Sequence, residues 1–296
     1  MKQVLVISGK GGTGKTSLTA ALAHLLKPLV LADCDVDAAD LHLLAGAEDA
    51  EPVSEPFDSG LLPALYEKMC NGCALCATFC RFDAIEMIDR PGAWLARIDE
   101  LKCEGCGVCI DHCPHGALRE RKRRAGSLEV LATRFGPLVQ GRLYPGQPNS
   151  GKLVVAVRAR AEQLAKEQGA ELVLVDGPPG VGCPVIAALG GIDLALLIAE
   201  PSATSQHDLE RALQLCERFK VPPAVVLNKA DLHADSAQSI TELCAAEEVE
   251  LAGRIDYDEA FLHALADGRT IVEAAPKSPA ARSLQALSER LGELLS

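Results

Sequence analysis

The stretch VLVISGKGGTGKTSLTAALAHLL, residues 4–26, constrains the fold more than any other part of the chain. An apolar run over residues 3–8 stops at Gly9, which reads as a buried strand feeding a glycine-rich loop. From Lys15 onward Leu and Ala recur at helical spacing, so a helix starts there. Strand, loop and helix in this order satisfy the phosphate-binding pattern Gly9-x-x-x-x-Gly14-Lys15-Thr16. Its glycines let backbone N–H groups curl around a β-phosphate, and the helix N-terminus adds the positive end of its dipole. Lys15 is expected to neutralise β- and γ-phosphates, and the Thr16 hydroxyl to ligate Mg²⁺. Gly9, Lys10, Gly11, Gly12, Thr13, Gly14, Lys15, Thr16 and Ser17 are therefore the candidate nucleotide cradle.

PLVLADCDVD, ELVLVDGPPG, LALLIAEPS and PAVVLNKAD each read as a strand running into a loop. Strands alternating with helices imply an α/β fold with a doubly wound parallel sheet. Such sheets bind ligands outside the carboxyl ends of their strands. The glycine loop, DCDVD, DGPPG and NKAD should then converge on one crevice. Aromatic residues are only 3% of the chain against 48% hydrophobic, so the core must be built from Ala, Leu, Val and Ile. That composition suits parallel strands covered on both faces. With 296 residues there is room for a large α/β domain carrying an insertion.

Cysteine marks the insertion. Eight of the twelve cysteines form two runs, Cys70-x-x-Cys73-x-x-Cys76-x-x-x-Cys80 and Cys103-x-x-Cys106-x-x-Cys109-x-x-x-Cys113-Pro114, and every member of the first recurs 33 residues later. Nothing at the N-terminus resembles a signal peptide and no apolar run is long enough to span a bilayer, so a soluble, cytoplasmic protein is expected. There, cysteines read as metal ligands before disulfides. The spacing resembles that of bacterial ferredoxins, twice over. In two-cluster ferredoxins the fourth ligand of each run is exchanged. The resemblance thus implies two [4Fe–4S] clusters, one on Cys70, Cys73, Cys76 and Cys113, the other on Cys103, Cys106, Cys109 and Cys80. Zinc would want two cysteine pairs rather than four cysteines per run. Arg81 replaces the proline expected after the first run, and a guanidinium close to a cluster would make its potential more positive. EPVSEPFDSG is a loop by composition and YPGQPNSGK a Gly/Pro-rich return. These assignments give residues 1–58 as the first part of a P-loop domain and 59–122 as a small α+β two-cluster insertion. Residues 123–296 are then a return linker and the second part of the P-loop domain.

Lys10 is a second lysine that a phosphate-binding loop does not need. With it, GKGGTGKTS resembles the deviant Walker A motif of the MinD/ParA and nitrogenase iron-protein superfamily, a resemblance that covers roughly residues 1–50 and 150–296. In that family the extra lysine reaches across a dimer interface to phosphates bound by the other subunit. This implies an ATP-induced homodimer, or a heterodimer with a related ATPase. The resemblance also implies Asp35 as the switch I carboxylate that positions the attacking water or its metal, with Asp33 at a less essential position. Asp176 of DGPPG takes the Walker B and switch II role, holding Mg²⁺ through water. Lys10, Lys15, Asp35 and Asp176 are thus the candidate catalytic residues. Asn228, Lys229 and Asp231 of NKAD match a guanine-reading pattern, whereas in the MinD/ParA group the Asn touches adenine. Lys10 favours ATP, and GTP stays open from these residues alone.

Cys183 follows Asp176 at the spacing where the nitrogenase iron protein carries a bridging cluster cysteine. A small buried residue opening the helix CPVIAAL is the plain alternative. Cys34, Cys216 and Cys244 read as core or surface thiols. The C-terminal SLQALSERLGELLS is amphipathic without the basic face of a membrane-targeting helix, so packing on the domain is expected. A net charge of −12 repels phosphate backbones and anionic lipid, arguing against nucleic-acid binding and stable membrane insertion. RKRR at 121–124 is the counter-current, either a solvated linker or a docking patch for an acidic partner. Taken together, the two resemblances imply an ATP-hydrolysing iron–sulfur protein that couples nucleotide state to electron transfer toward a redox or metalloprotein acceptor. A carrier for metal-centre assembly and a redox-sensing organiser are the alternatives.

Overall fold

Apolar runs too short to make a stable helix become parallel strands. The computed structural model describes residues 1–47, 50–147 and 150–296. The chain divides into two units, one of Met1–Glu55, Ser127–Leu143 and Ser150–Ser296, the other of Pro56–Gly126 and Tyr144–Asn149. Strands are β1 (Lys2–Ser8), β2 (Val30–Asp33), β3 (Val53–Leu65), β4 (Ile85–Arg90), β5 (Ala93–Ile98), β6 (Leu118–Ala132), β7 (Pro137–Leu143), β8 (Leu172–Pro179), β9 (Leu194–Ala199), β10 (Pro223–Asn228) and β11 (Glu250–Ile255). Helices are α1 (Lys15–Leu26), α2 (Leu41–Leu44), α3 (Leu75–Thr78), α4 (Val108–Asp111), α5 (Ser150–Gln168), α6 (Cys183–Leu189), α7 (Ala203–Phe219), α8 (Ala234–Ala246), α9 (Ala260–Ala266), α10 (Ile271–Ala274) and α11 (Pro279–Leu295).

In the first unit, strands run in the order β11-β10-β9-β1-β8-β2-β7, all in parallel register with their neighbours. Every residue of β9 is buried, as expected for a strand covered on both faces. This is the doubly wound sheet that the alternation of strands and helices implies. It places the carboxyl ends of β1, β2, β8, β9 and β10 along one edge. The amphipathic C-terminal segment is α11, whose Leu284, Leu287 and Leu291 are buried in the core beside α1 and β11.

The sheet continues beyond β7 through β6 to β3, and this part departs from the sequence reading. EPVSEPFDSG does not form a loop, because residues from Val53 onward belong to β3. Its side chains are mostly exposed, and β3 sits at the sheet edge, where proline is tolerated and no apolar alternation is needed. RKRR likewise lies in a strand, β6, rather than in a linker, and β6 returns through a tight turn at Thr133–Gly136 to β7. Of the return YPGQPNSGK, residues 148–149 lie outside the described residues, and α5 starts at Ser150.

The second unit shows the repeat in its backbone. α3 and α4 occupy equivalent places, and Gly72, Ala74 and Asp83 have positive φ as do Gly105, Gly107 and Gly116 at 33 residues' distance. The glycines at 72 and 105 are required by space as well. A Cβ there would stand 2.7 Å from the Trp94 carbonyl oxygen and 2.6 Å from that of Leu61, respectively. β4 and β5 form an antiparallel hairpin. One small apolar cluster lies among the cysteines: Ile85, Ala96, Cys109 and Leu118 are buried, packed with Leu65, Met87, Ile98, Ile110 and the thiols of Cys76, Cys80 and Cys113.

Candidate nucleotide cleft and cysteine sites

The loop after β1 is shaped by what its glycines must avoid. A Cβ on Gly9 would fall 2.1 Å from that of Asp208 on α7, and one on Gly14, with φ of 90°, 2.6 Å from the Asn228 amide nitrogen. Ser8 ties the loop down, its hydroxyl donating to the Lys10 carbonyl at 2.8 Å and its own carbonyl accepting from Gly180 N–H at 2.8 Å. Residues Gly11–Ser17 line a cavity of about 410 Å³ together with Asp35, Asn228 and Lys229. Space around Gly11 and Gly12 is open, and the buried Thr13 hydroxyl has no partner among the described residues. Such a cradle fits phosphate oxygens.

Beneath the loop the charges are already paired. Lys15 Nζ lies 2.8 Å from Asp176 Oδ1, and the Thr16 hydroxyl donates to Asp176 Oδ2 at 2.7 Å. The Thr19 hydroxyl lies 3.0 Å from Asp176 Oδ1. Burial alone would lower the Lys15 pKa, but the charge and hydrogen bond of Asp176 outweigh it and hold the ammonium above its ordinary value. Asp33 is the register partner of Asp176 on the adjacent strand and is fully buried. It accepts from Asp35 N–H at 3.0 Å and Leu41 N–H at 3.1 Å. Burial, then the charge of Asp176, pushes its carboxyl above the ordinary range. Asp33 thus belongs to the buried polar centre, closer to Asp176 than its minor place in the sequence reading suggests. Asp35 faces the cavity, and burial raises its pKa too. The oxygens of Thr16, Asp35 and Asp176 form a hard donor set of the kind Mg²⁺ takes.

Lys10 is engaged within its own chain. Its Nζ lies 2.6 Å from Glu200 Oε1 and donates to the Ser202 hydroxyl at 3.5 Å. Glu200 also holds Lys229 at 3.1 Å, and Lys229 reaches the Gly12 carbonyl at 3.0 Å. Asn228 donates to the Thr13 carbonyl at 2.8 Å. Asp231 does not line the cavity: its carboxylate accepts from Tyr257 N–H at 2.6 Å. The far wall is one the sequence reading missed, made of Asp256, Tyr257, Asp258, Phe261, Leu262 and Leu265. These residues follow β11, so the strand-end argument that selected NKAD could have found them.

The eight clustered cysteines divide into two sets of four. Cys70, Cys73, Cys76 and Cys113 line one hollow with Leu65, Met87 and Leu118. Cys80, Cys103, Cys106 and Cys109 line a second with Pro63, Phe79 and Phe82. The hollows are of similar size, about 20 Å³ each. Each set takes one cysteine from the other run, and none of the eight is in a disulfide. Backbone N–H groups of Ala84, Gly105 and Ala117 donate to Cys80, Cys103 and Cys113 sulfurs at 3.3–3.4 Å. Burial raises the Cys76 and Cys109 thiols, Cys109 to about 11, with Cys70, Cys73 and Cys113 adding to the rise at Cys76 and Cys103, Cys106 and Cys76 at Cys109. At Cys113 burial is outweighed by N–H groups of residues 115–118, and its pKa is lowered. All-sulfur donor sets in apolar hollows with N–H···S bonds fit iron–sulfur clusters. Among the described residues no three His, Cys, Asp or Glu side chains gather closely enough to hold a single metal ion.

The remaining candidates fall elsewhere. Arg81 is exposed and stacks on the Phe82 ring, its guanidinium carbon 5.1 Å from the centroid. Cys183 is exposed where α6 begins, while Cys34, Cys216 and Cys244 are buried. In RKRR, Arg121 pairs with Glu100 and Arg124 with Asp58, so two of its four charges are met by carboxylates of the same unit. Among the described residues no helix is long and apolar enough to cross a membrane.

Comparison with known proteins bears on this arrangement. The family model described as the CobQ/CobB/MinD/ParA nucleotide binding domain matches residues 4–271. An uncharacterized protein of Methanocaldococcus jannaschii is 35% identical over 240 residues, covering 78% of this chain and 79% of its own. A protein of Pyrococcus abyssi named iron-sulfur cluster carrier protein is 22% identical over 307 residues, covering 98% and 85%. The solved structure of the cell division ATPase MinD of Pyrococcus furiosus matches with a TM-score of 0.58, 19% identity and 99% of both chains covered. At that identity the likeness speaks for the fold alone.

Proposed function

The chain belongs to the CobQ/CobB/MinD/ParA nucleotide-binding family, and from that premise we propose that it is an ATP-driven iron–sulfur protein. ATP binding and hydrolysis would control electron transfer through two [4Fe–4S] clusters to a partner protein. The observation that supports it best is the division of eight cysteines into two hollows, each completed by a cysteine from the other run. Each cluster, when bound, takes up and releases one electron.

The nucleotide chemistry starts from the paired state. An arriving γ-phosphate draws Lys15 from Asp176, leaving that carboxylate and the Thr16 hydroxyl free to hold Mg²⁺ and its water. Asp35, facing the cavity, orients the attacking water. Asp176 heads the segment whose Gly180 is tied to Ser8, so a change at Asp176 reaches the phosphate loop through the backbone. Lys10 must leave Glu200 to act on phosphates held by a second copy or a related ATPase. Adenine is favoured over guanine because the Asp231 carboxylate, which would read guanine, does not line the cavity and accepts from Tyr257 N–H.

A second reading has one observation behind it, the carrier name of the Pyrococcus relative. Cys183, exposed outside both hollows, is the thiol a shared, releasable cluster would use. Anaerobic purification followed by iron counting under Mg-ATP and a chelator separates the two. The electron-transfer reading expects about eight irons per chain, lost no faster with ATP than without. ATP-stimulated loss of half or more would favour the carrier, and a chain that takes up no iron would overturn both.

A further inference from the structure

The two cysteine sites are related by the 33-residue repeat, yet the charges around them are not. At position 90 and its repeat 123 the chain carries arginine both times. Arg90 is exposed, its guanidinium 3.3 Å from the Glu67 carboxylate, which is exposed as well. Arg123 is only 5% exposed. Its guanidinium donates to the backbone carbonyls of Cys103 and, at 3.3 Å, Glu100, while its Nε has no partner among the described residues. Glu100 is the repeat of Glu67, but its carboxylate is turned to Arg121 instead. A full positive charge is therefore buried against the first cysteine of one site and, among the described residues, met only by carbonyl dipoles. The equivalent charge at the other site is neutralised in water.

We infer that Arg123 sets the two clusters apart, making the one held by Cys80, Cys103, Cys106 and Cys109 the easier to reduce. The inference rests on the iron–sulfur reading given above. Reduction adds one negative charge to a cluster, and a nearby buried cation stabilises that added charge. The opposing group is Glu104, which lines the same hollow where the other site has Asn71 at the repeat position. Glu104 is exposed, so water and salt screen it, whereas Arg123 is out of reach of both. Burial decides the sign. Electrons would enter at the Arg123 site first and rest there. Arg81, the cation that the sequence places beside a cysteine run, is exposed and stacked on Phe82, so the tuning charge comes instead from the second half of the repeat.

Anaerobic potentiometric titration followed by electron paramagnetic resonance, with iron counted on the same samples, tests this. Two one-electron steps are expected for the intact chain. Arg123→Gln should lower the upper step by a factor of at least ten in reduction equilibrium, about 59 mV, and leave the lower step in place. Arg90→Gln should move neither. Because Arg123→Gln can fail to load iron, the intact chain supplies a second measurement. Raising salt from about 0.1 to about 1 M cuts the Debye length from ~10 to ~3 Å and should leave the separation unchanged, since the charge is buried. Arg123→Lys, which keeps the charge, should keep the separation too. Fully loaded Arg123→Gln with both steps unmoved, or a separation that collapses in salt, overturns the inference while the iron–sulfur reading stands. Absence of iron from the intact chain overturns that reading and the inference together.

Discussion

The nucleotide cleft and the cysteine sites are built in opposite ways for the groups proposed to bind there. The cleft is an addition to a fold that is complete without it. β1, β8, β9 and β10 bury near-continuous apolar runs, and the phosphate loop sits at their ends. The cysteine unit leans on its thiols. Its cluster of Ile85, Ala96, Cys109 and Leu118 has three more of the eight thiols among the partly buried side chains packed against it. What would be bound in the first unit is a ligand; in the second it is part of the core. Binding free energy there is folding free energy.

Removing iron tests that contrast most severely. Chelation should abolish amide exchange protection in β4, β5 and α4 while β1, β8 and β9 stay protected, read by hydrogen exchange on the whole chain. Protection retained throughout would mean the cysteine unit folds on its own core. Lys15→Met strikes the other unit. It leaves Asp176 buried and unpaired, which costs about 3–5 kcal/mol, so nucleotide binding and the thermal midpoint of the first unit should both fall, with the iron count unchanged. Asp231→Ala is milder. Losing a hydrogen bond to a charged group costs about 1.5–3 kcal/mol, so ATP affinity should drop roughly tenfold or more as the Tyr257 wall loosens. Asp231→Asn, which keeps an acceptor for Tyr257 N–H, should recover most of it without gaining guanine nucleotides. A gain or loss confined to GTP binding would instead make Asp231 a base reader. The smallest effect is expected at Glu200→Gln. A partly exposed ion pair contributes about 0.2–1 kcal/mol, so releasing Lys10 should favour ATP-driven dimers by a few-fold at most, measured by light scattering.

Legibility follows the same division. Spacing carries chemistry that cannot be written any other way, and so the phosphate loop at Gly9–Ser17 and the two cysteine runs were plain from the residues. The parallel strands were plain too, because burial on both faces forces continuous apolar runs. β3 was not, since an edge strand exposes its side chains and tolerates Pro56, and composition alone then reads as loop. The far wall of the cleft at Asp256–Leu265 carries no motif, being chosen for shape against a ligand rather than for chemistry. RKRR misled for a different reason. A run of like charges says nothing of burial, and in β6 Arg123 is buried while Arg121 and Arg124 are exposed.

Coupling between the two kinds of site is read from the cluster potentials, measured with and without a non-hydrolysable Mg-ATP analogue. Coupling between sites is typically about 1–3 kcal/mol and acts in both directions. At about 59 mV per tenfold for one electron, a shift of roughly 45–130 mV is predicted on binding the analogue, with a matching change in nucleotide affinity on reduction. Potentials that stay fixed while the analogue is bound would contradict the account, leaving two sites that share a chain and nothing more.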